Sequence, residues 1–242
     1  MIILAIDTSS TTASVALIDN FTVMGESSVT LADLKAKNRK THSQTLMPMI
    51  AGLFEIVGIT IEEIDKIACT CGPGSFTGLR IGAATAKGLS FASGKPLIAV
   101  PTLDAMAYNV LSIAEPDAWV IPMMDARRAQ VYTALYHKGE RVTDYLALPI
   151  EEVLAMLTAS AKPGSRLIFL GDGAEANRDT ITSLVQSAIF APPCHTRPRA
   201  ACVGAVAITM KPVDKSEFSL LYIRKPQAER EKEERAAKIL NV

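Results

Sequence analysis

Glycines at positions 72, 74 and 78 form the part of the sequence whose spacing best suits ligand binding. They lie in the segment CGPGSFTGLRIG (71–82) and precede a helical pattern, and the N–H groups at the start of a helix favour an anion. The spacing G-x-G-x-x-x-G is one residue longer than the dinucleotide fingerprint, and no G-x-x-x-x-G-K-[ST] phosphate loop occurs. Ser75 does not fit a nucleophile elbow either. The segment is therefore a tight strand-to-helix turn or a ligand loop.

Cysteine and histidine spacing gives little support for a metal site. Cys69 and Cys71 are two residues apart, which on a strand places both side chains on one face, and Cys194 and Cys202 lie far away in the sequence. Zinc sites typically show paired C-x2-C motifs, which are absent here. His195, beside Cys194, falls in a proline-rich segment typical of a loop. We predict reduced thiols and no metal ligands.

The elements that position these residues follow from hydrophobic periodicity, which predicts an α/β protein with two related halves. The first half opens with a meander and continues with alternating helices and strands. The second half repeats this theme more weakly. The predicted strands are 2–7, 13–18, 23–29, 64–70, 96–101, 118–125, 129–137 and 166–172, and the predicted helices after the first are 79–92, 103–111, 150–158, 175–187 and 202–210. We expect lobes at 1–110 and 111–224, with a charged C-terminal extension at 225–242.

The first helix has the clearest sequence signals. Apolar residues recur at helical spacing from Leu46 to Val57, and Gly58 follows as a stop signal. Pro48 lacks an N–H and would clash with the carbonyl of Gln44. The helix should therefore start near Thr45 or kink at the proline.

Charge and hydropathy narrow the class of protein. Lys+Arg and Asp+Glu balance at 25 each, so no field of the whole molecule attracts nucleic acid. A basic run comprises Lys35, Lys37, Arg39 and Lys40, and it suits either a solvated loop or a phosphate contact, although no aromatic residue is interleaved for base stacking. The N-terminus turns polar after six residues and no apolar run of membrane-spanning length follows, which predicts a cytoplasmic protein without a membrane contact.

Several segments together resemble the TsaB family, also called YeaZ. They are GPGSFTGLRIG, ATAKGLS, PTLDAMA, HSQTLMPMI, MDARRAQVYTALY, LGDGA and LYIRKP, and they cover nearly the whole chain. The resemblance implies a two-lobed actin-like ATPase fold of the Hsp70 and sugar-kinase kind. The resemblance also implies that the protein acts together with a catalytic TsaD-type subunit, a TsaE-type ATPase and an enzyme that forms the carbamoyl-adenylate. Together these place threonylcarbamoyl on adenosine 37 of tRNAs that read codons beginning with A.

The resemblance further implies that this chain has no catalytic residues. The catalytic relative binds its metal through H-x-x-x-H on the first long helix, and the corresponding residues here are His42 and Leu46. Leucine cannot bind a metal, so we predict that His42 has a surface or helix-capping role.

The nucleotide site that the fold implies is expected to be vestigial. Asp7, Thr8 and Ser9 match the first phosphate motif of actin-like ATPases, but the second motif has Asp125 followed by Ala126 and Arg127, where the fold usually has D-x-G. Glycine permits a close approach of backbone to phosphate that a side chain would crowd. The candidate adenosine-side turn contains Gly171 and Gly173. We predict no intrinsic cofactor, with ATP or ADP bound only weakly or at a partner interface.

The helices then become the candidate partner-binding elements. The resemblance implies pairing with the TsaD-type subunit through first-lobe helices, self-pairing when that subunit is missing, and tRNA contact through the complex. The candidate contacts are Leu46, Met49, Ile50, Leu53, Arg80, Gly82, Ala83 and Ala86. The apolar stripe of the first helix is equally compatible with packing on its own sheet, or with both contacts. Ala86→Arg should therefore block partner packing while leaving the fold intact.

Two enzymatic alternatives remain open from the residues. An ATP-dependent sugar or acid kinase on the same fold predicts tight ATP binding, which Arg127 opposes. A metallopeptidase predicts H-E-x-x-H or a comparable metal pair, and neither occurs. The non-catalytic partner role is the function we expect.

Overall fold

The computed structural model describes residues 1–20, 22–30, 41–214 and 216–224. The basic run at 35–40 and the extension at 225–242 were both singled out in the sequence, and both lie outside the described residues. Within these ranges no helix combines the length and the apolar character that crossing a membrane requires.

The first half of the chain forms a five-stranded sheet with three helices. Its strand order is β3-β2-β1-β4-β5, in which the β1–β2 and β2–β3 pairs are antiparallel and the β1–β4 and β4–β5 pairs are parallel. The elements in chain order are β1 (Ile2–Asp7), β2 (Thr12–Asp19), β3 (Thr22–Thr30), α1 (His42–Val57), β4 (Lys66–Gly72), α2 (Phe76–Ser93), β5 (Leu97–Pro101) and α3 (Thr102–Leu111). The predicted meander and the alternation after it are confirmed.

The second half repeats this topology. Its elements are β6 (Trp119–Asp125), β7 (Gln130–Thr133), β8 (Tyr136–His137), β9 (Glu140–Arg141), β10 (Leu146–Pro149), α4 (Ile150–Ser160), β11 (Leu167–Leu170), α5 (Asp172–Ala176), α6 (Arg178–Leu184), β12 (Ala188–Phe190) and α7 (Ala200–Ala207). The order β10-β7-β6-β11-β12 has the same sequence of antiparallel and parallel pairs as the first sheet. The sequence pattern missed β9, β10 and β12, and it fused β7 with β8 and α5 with α6.

Helix α1 begins earlier than predicted. Its N-terminus is capped because the Gln44 side chain accepts a hydrogen bond from the Thr41 backbone N–H at 2.9 Å. Gly58 ends the helix in the left-handed conformation, and its N–H donates to the Phe54 carbonyl. The alternative of a start near Thr45 is wrong because the helix begins at His42; Pro48 lies inside it, and the alternative of a kink stays a prediction.

Helices α1 and α2 cover one face of the first sheet. Leu46, Ile50 and Leu53 of α1 are buried in the same cluster as Ala83 and Ala86 of α2. Burying a leucine or isoleucine side chain stabilises a fold by about 1.5–3 kcal/mol. The apolar stripe of α1 therefore belongs to the core of this chain.

The opposite face of the first sheet is covered by a helix from the far end of the sequence. Val203 of α7 is buried in one cluster with Ile3 and Ile18, and Phe218 joins the core beneath α1. Helix α3 in turn packs against β6 of the second sheet. The chain therefore returns to the first sheet from about residue 200, and the division into lobes at 1–110 and 111–224 stays a prediction.

A carboxylate on α3 joins the two halves. Asp104 accepts hydrogen bonds from the hydroxyls of Tyr136 and Tyr145, and the Arg141 guanidinium lies 3.9 Å from it. Burial, together with the Asp104 carboxylate, raises the pKa of both tyrosines above the ordinary value. Both hydroxyls therefore stay protonated and act as donors.

Removing one of these donors should weaken the fold. Tyr136→Phe should lower the free energy of unfolding by about 1.5 kcal/mol, because a nearly buried hydroxyl that donates to a carboxylate is lost. Urea unfolding of the isolated chain measures the change. Tyr132→Phe is the control, because among the described residues the Tyr132 hydroxyl has no hydrogen-bond partner. Equal losses in the two variants would show that the bond to Asp104 contributes nothing specific.

Candidate functional site

The turn after β1 holds the first predicted nucleotide-binding residues, and all of them are buried. Asp7, Thr8 and Ser9 have no exposed surface. One Asp7 oxygen accepts hydrogen bonds from the Thr70 hydroxyl at 2.8 Å and from the Ser9 N–H at 3.3 Å. The Thr8 hydroxyl donates to the Gly78 carbonyl at 2.8 Å. These side chains bind neighbouring parts of the chain.

The glycine-rich segment fills the space in front of this turn. The Ser75 N–H donates to the Ser9 carbonyl at 2.7 Å. A Cβ atom at Gly74 would overlap the Ser9 carbonyl oxygen, and one at Gly78 would overlap the Thr8 carbonyl oxygen. Only glycine allows the segment to approach the backbone of Thr8 and Ser9 this closely. The segment is therefore a structural turn that packs the start of α2 against the β1–β2 connection.

The Asp7 carboxyl is the unusual group at this turn. Its second oxygen and the Ser9 hydroxyl are both buried without a hydrogen-bond partner in the described part of the chain. Burial raises the pKa of Asp7 above its ordinary value of 3.8, and hydrogen bonds from Thr70 and the Ser9 backbone partly offset the effect.

Asp7→Asn should therefore change how stability depends on pH. The folded protein holds the Asp7 proton more tightly than the unfolded chain, so this group destabilises the fold progressively as pH rises from about 4 through the raised pKa. Asparagine keeps one acceptor oxygen and removes the titration. The free energy of unfolding of Asp7→Asn, measured in urea relative to the unmodified chain, should increase over this range and then level off. A difference that stays constant from pH 4 to pH 8 would contradict the assignment.

The second predicted phosphate motif forms a strained turn between β6 and β7. Arg127, Arg128 and Ala129 have φ angles of 60°, 55° and 55°, a conformation that costs a non-glycine residue about 1–2 kcal/mol. The Arg127 N–H donates to the exposed Asp125 carboxylate at 2.7 Å, and the Asp125 N–H donates to Asp172 at 3.1 Å. Arginine thus adopts the backbone conformation that glycine would adopt without strain.

The predicted adenosine-side glycines have a packing role. Gly171 has a φ of 101°, and its Cβ would overlap the Met123 carbonyl oxygen. A Cβ at Gly173 would lie 2.8 Å from the Met124 carbonyl carbon. Both glycines allow the start of α5 to approach the end of β6, which accounts for them without a ligand.

The residues present do not fit an ATP molecule in the way the fold implies. The first motif is fully buried beneath the glycine-rich segment, so its side chains cannot reach a phosphate. The second motif places two arginine side chains where a backbone cradle would need glycine. Each motif follows the first strand of its sheet, β1 or β6, but the two motifs do not form an open cradle.

His42 and the thiols also have structural surroundings. His42 is nearly buried, and its Nε2 lies 3.0 Å from the Ser10 carbonyl oxygen. Of the two roles expected for His42, the surface role is wrong because the ring packs against the β1–β2 connection, and the cap of α1 is formed instead by Thr41 and Gln44. Burial raises the pKa of Cys71 to about 11 and that of Cys69 well above its ordinary value, so both remain thiols.

Most of the predicted partner contacts are buried in this chain. Besides Leu46, Ile50 and Leu53, the buried set comprises Gly82, Ala83 and Ala86. Met49 is partly buried and Arg80 is exposed, so for these two the prediction stays open. The six buried residues face the first sheet because a helix that lies on a sheet turns its most apolar stripe inward.

The comparison with known proteins gives the family. A family model described as TsaD: tRNA N6-adenosine threonylcarbamoyltransferase matches residues 35–210. The tRNA threonylcarbamoyladenosine biosynthesis protein TsaB of Bacillus subtilis is 34% identical over 189 residues, which cover 76% of this chain and 77% of that protein. Its namesake from Escherichia coli is 35% identical over 147 residues, 58% of this chain and 57% of that one. The chain belongs to the TsaB family.

Solved structures confirm the fold of this TsaB-family chain. YeaZ from Pseudomonas aeruginosa superposes with a TM-score of 0.71 at 25% identity, covering 92% of this chain and 99% of that one. The ethanolamine utilization protein EutJ from Carboxydothermus hydrogenoformans gives a TM-score of 0.52 at 12% identity over 84% and 88% of the two chains. The fold is the actin-like one that the resemblance implied.

The outer faces of α1 and α2 form a surface that the apolar pattern did not reveal. The two helices pack against each other, with α1 lying mainly on β2 and β3 and α2 mainly on β4. We call their outward-facing apolar and small residues the helix-pair surface: Met47, Pro48, Ala51, Ile56, Ala84, Gly88 and Phe91. Ile56 is 84% exposed and Phe91 83% exposed. Small residues produce no hydrophobic stripe, so only their spacing of four in α2 could have indicated this face.

The segment that ends at Arg224 connects the two motifs and was also missed. The Leu221 N–H donates to the Cys71 carbonyl at 2.7 Å, and the Leu221 carbonyl lies over Gly72. The Arg224 guanidinium donates to the Ala126 carbonyl at 2.9 Å. In this TsaB-family chain the segment LYIR therefore links the glycine-rich turn of the first sheet to the arginine turn of the second.

Proposed function

We propose that this chain is a non-catalytic subunit that pairs with a TsaD-type subunit. In that complex it supports transfer of threonylcarbamoyl to adenosine 37 of tRNAs that read codons beginning with A. The observation that carries the proposal is the helix-pair surface, which leaves exposed apolar side chains on two helices whose core faces are already satisfied. Curated relatives are named for threonylcarbamoyladenosine biosynthesis, which supports the pathway.

The shape of the surface suits a helical partner. Ala84 and Gly88 are exposed one turn apart on α2, and a Cβ added at Gly88 would meet no atom within 4 Å. Small residues along a helix allow another helix to approach closely, and the larger side chain of Phe91, about one turn after Gly88, would serve as an anchor. A second copy of this chain would present the same face, so we propose self-pairing when the TsaD-type subunit is absent.

The residues at the positions where catalysis would need a metal site and a phosphate site support the non-catalytic part of the proposal. The position that would supply the second metal-binding imidazole is the buried Leu46, and His42 contacts the Ser10 carbonyl. The first phosphate motif is covered by the glycine-rich segment of the same chain. These observations favour a partner over the ATP-dependent kinase alternative. We further propose that a TsaE-type ATPase joins the complex, that tRNA binds through it, and that the protein acts in the cytoplasm.

Product formation tests the proposal. Threonine, bicarbonate, ATP, tRNA and the partner proteins are incubated with this chain supplied or omitted, and threonylcarbamoyladenosine in the digested tRNA is quantified. We expect product only when the chain is present. Equal product without it would overturn the proposal, and phosphorylation of a small molecule by the isolated chain would establish the kinase alternative.

A further inference from the structure

A polar cavity of about 190 Å³ lies between the first sheet and the segment that leads into α7. Val15 and Leu17 pack in the cluster beneath α1, so the residues that alternate with them on β2 face the other side of the sheet. The cavity is on that other side, away from the helix-pair surface. Its wall on the sheet consists of Thr12 and Ser14 of β2 and Glu26, Ser28 and Thr30 of β3, and its opposite wall includes Arg197 and Arg199.

The charge of Arg199 is balanced within the fold. Its guanidinium donates to the Glu26 carboxylate at 2.5 Å, and the same carboxylate accepts a hydrogen bond from the Ala201 N–H at the start of α7 at 3.0 Å. Arg197 is different, because in the part of the chain that the structure describes its guanidinium contacts hydroxyl oxygens and no carboxylate. Counted over the described residues of the cavity wall, one positive charge is therefore left, that of Arg197.

The Arg197 guanidinium is held through one of its nitrogens. Its Nη1 donates to the Thr30 hydroxyl at 2.8 Å and to the Thr12 hydroxyl at 3.3 Å. Its Nε and Nη2 have no acceptor among the described residues. A guanidinium donates in a fixed fork that matches two oxygens of a carboxylate or phosphate group. The threonines therefore orient Arg197 and leave two of its nitrogens to donate to a ligand.

The hydroxyl groups of the cavity wall add further donors, since each hydroxyl has one hydrogen to donate. The Thr12 and Thr30 hydroxyls lie 3.0 Å apart, so one donates to the other and the second keeps its hydrogen. The Ser14 hydroxyl accepts a hydrogen bond from the Ala200 N–H at 3.0 Å, and the exposed Ser28 hydroxyl has no partner among the described residues. The threonine pair, Ser14 and Ser28 thus each have one hydrogen available for an acceptor.

We propose that this cavity binds a small molecule through its oxyanion, a carboxylate or a phosphate group. The Arg197 Nε and Nη2 donate to two oxygens of the anion, and the hydroxyl groups of the wall donate to its remaining lone pairs. Pockets for drug-sized ligands measure about 300–1,000 Å³, so this cavity admits a molecule smaller than a nucleotide. The inference goes beyond the proposed function, because the cavity and the helix-pair surface lie on opposite faces of the first sheet.

Three molecules with the same three-carbon skeleton test the proposal. Glycerate carries a carboxylate, glycerol 3-phosphate carries a phosphate group, and glycerol carries no charge. Isothermal titration calorimetry of the full isolated chain should show one site for glycerate or glycerol 3-phosphate with a Kd below about 1 mM, and no saturable binding of glycerol. The anion that binds more tightly identifies the source of the oxyanion. At a hundredfold excess over Kd, the melting temperature should rise by about 5 °C or more.

Substitutions in the cavity wall separate the guanidinium fork from its charge. Arg197→Gln should weaken binding about thirtyfold or more, and Arg197→Lys, which keeps the charge and loses the fork, about tenfold. Ser28→Ala should weaken binding about fivefold and leave the stability of the unliganded chain unchanged, because its hydroxyl has no partner among the described residues. Arg166→Gln is the control, since Arg166 pairs with Glu115 on the second half of the chain, and it should bind like the unmodified chain.

Three results would overturn the proposal. The unmodified chain would bind neither anion, or glycerol would bind as tightly as the anions, or Arg197→Gln and Ser28→Ala would both bind like the control. If circular dichroism shows that Arg197→Gln does not fold, Arg197→Lys and Ser28→Ala decide the question by the same criterion. None of these measurements includes the TsaD-type subunit, so failure of the proposed function would be distinguishable from failure of this proposal.

Discussion

Ala84→Arg should abolish assembly with the TsaD-type subunit and leave the isolated chain folded. Ala84 is exposed in the middle of α2, between Arg80 and Gly88 on the same side of the helix. Arginine has nearly the helix propensity of alanine, so the stability of the chain should change by less than about 0.5 kcal/mol. A long charged side chain there would hold a partner helix away from the small residues, and we expect affinity to fall at least a hundredfold, about 2.7 kcal/mol.

An exposed alanine of α4, Ala155, provides the matched control for this variant. Ala155 is also exposed on a helix, but it lies on the second half of the chain, away from the helix-pair surface. Ala155→Arg should assemble with unchanged affinity in isothermal titration calorimetry. Ala86 is unsuitable for the test because it is fully buried, and Ala86→Arg should unfold the chain. Normal assembly by Ala84→Arg would show that the partner binds elsewhere.

The sequence predicts the strands and helices well because the signals for each of them lie within a few neighbouring residues. Strands such as Ile2–Asp7 and the helix that ends at Gly58 follow from periodicity and from a stop signal within a few residues. The sequence is a poor guide to packing contacts between segments that lie far apart in the chain. Phe218 enters the core beneath α1, and α7 covers the sheet that contains Ile3, although about 160 to 200 residues separate these partners. Neither contact leaves a periodic signal in either segment.

Prediction of the candidate sites from the sequence is limited in the same way, by contacts between distant segments. The residue types at Asp7 and Thr8 match a phosphate motif, and only the structure reveals that a segment some 65–70 residues away seals it. On α1, the apolar stripe correctly indicates burial, because Leu46, Ile50 and Leu53 are buried, whereas partner binding by this stripe stays a prediction. The helix-pair surface contains Ala51, Ala84 and Gly88, small residues that produce no hydrophobic stripe. A binding surface built from small residues is therefore hard to recognise from one sequence.

Two glycines of α2 should respond in opposite directions to the same substitution. Gly78→Ala should destabilise the chain by about 3 kcal/mol, because its Cβ would overlap the Thr8 carbonyl oxygen, a backbone atom that cannot rotate away. Gly88→Ala should stabilise it by about 0.8 kcal/mol, because the helix is regular there and the new methyl group meets nothing. Urea unfolding of both variants measures the difference, about 4 kcal/mol.

The pair also separates the two roles that glycine has in this helix. If Gly78→Ala were as stable as Gly88→Ala, the glycine-rich segment would not be packed on the Asp7 turn, and an open phosphate loop would again be the better interpretation. Gly88→Ala should meanwhile weaken assembly with the TsaD-type subunit several-fold, because the added methyl group separates closely packed helices. A variant that is more stable alone and weaker in the complex would place Gly88 at the interface, since a structural glycine would not show that combination.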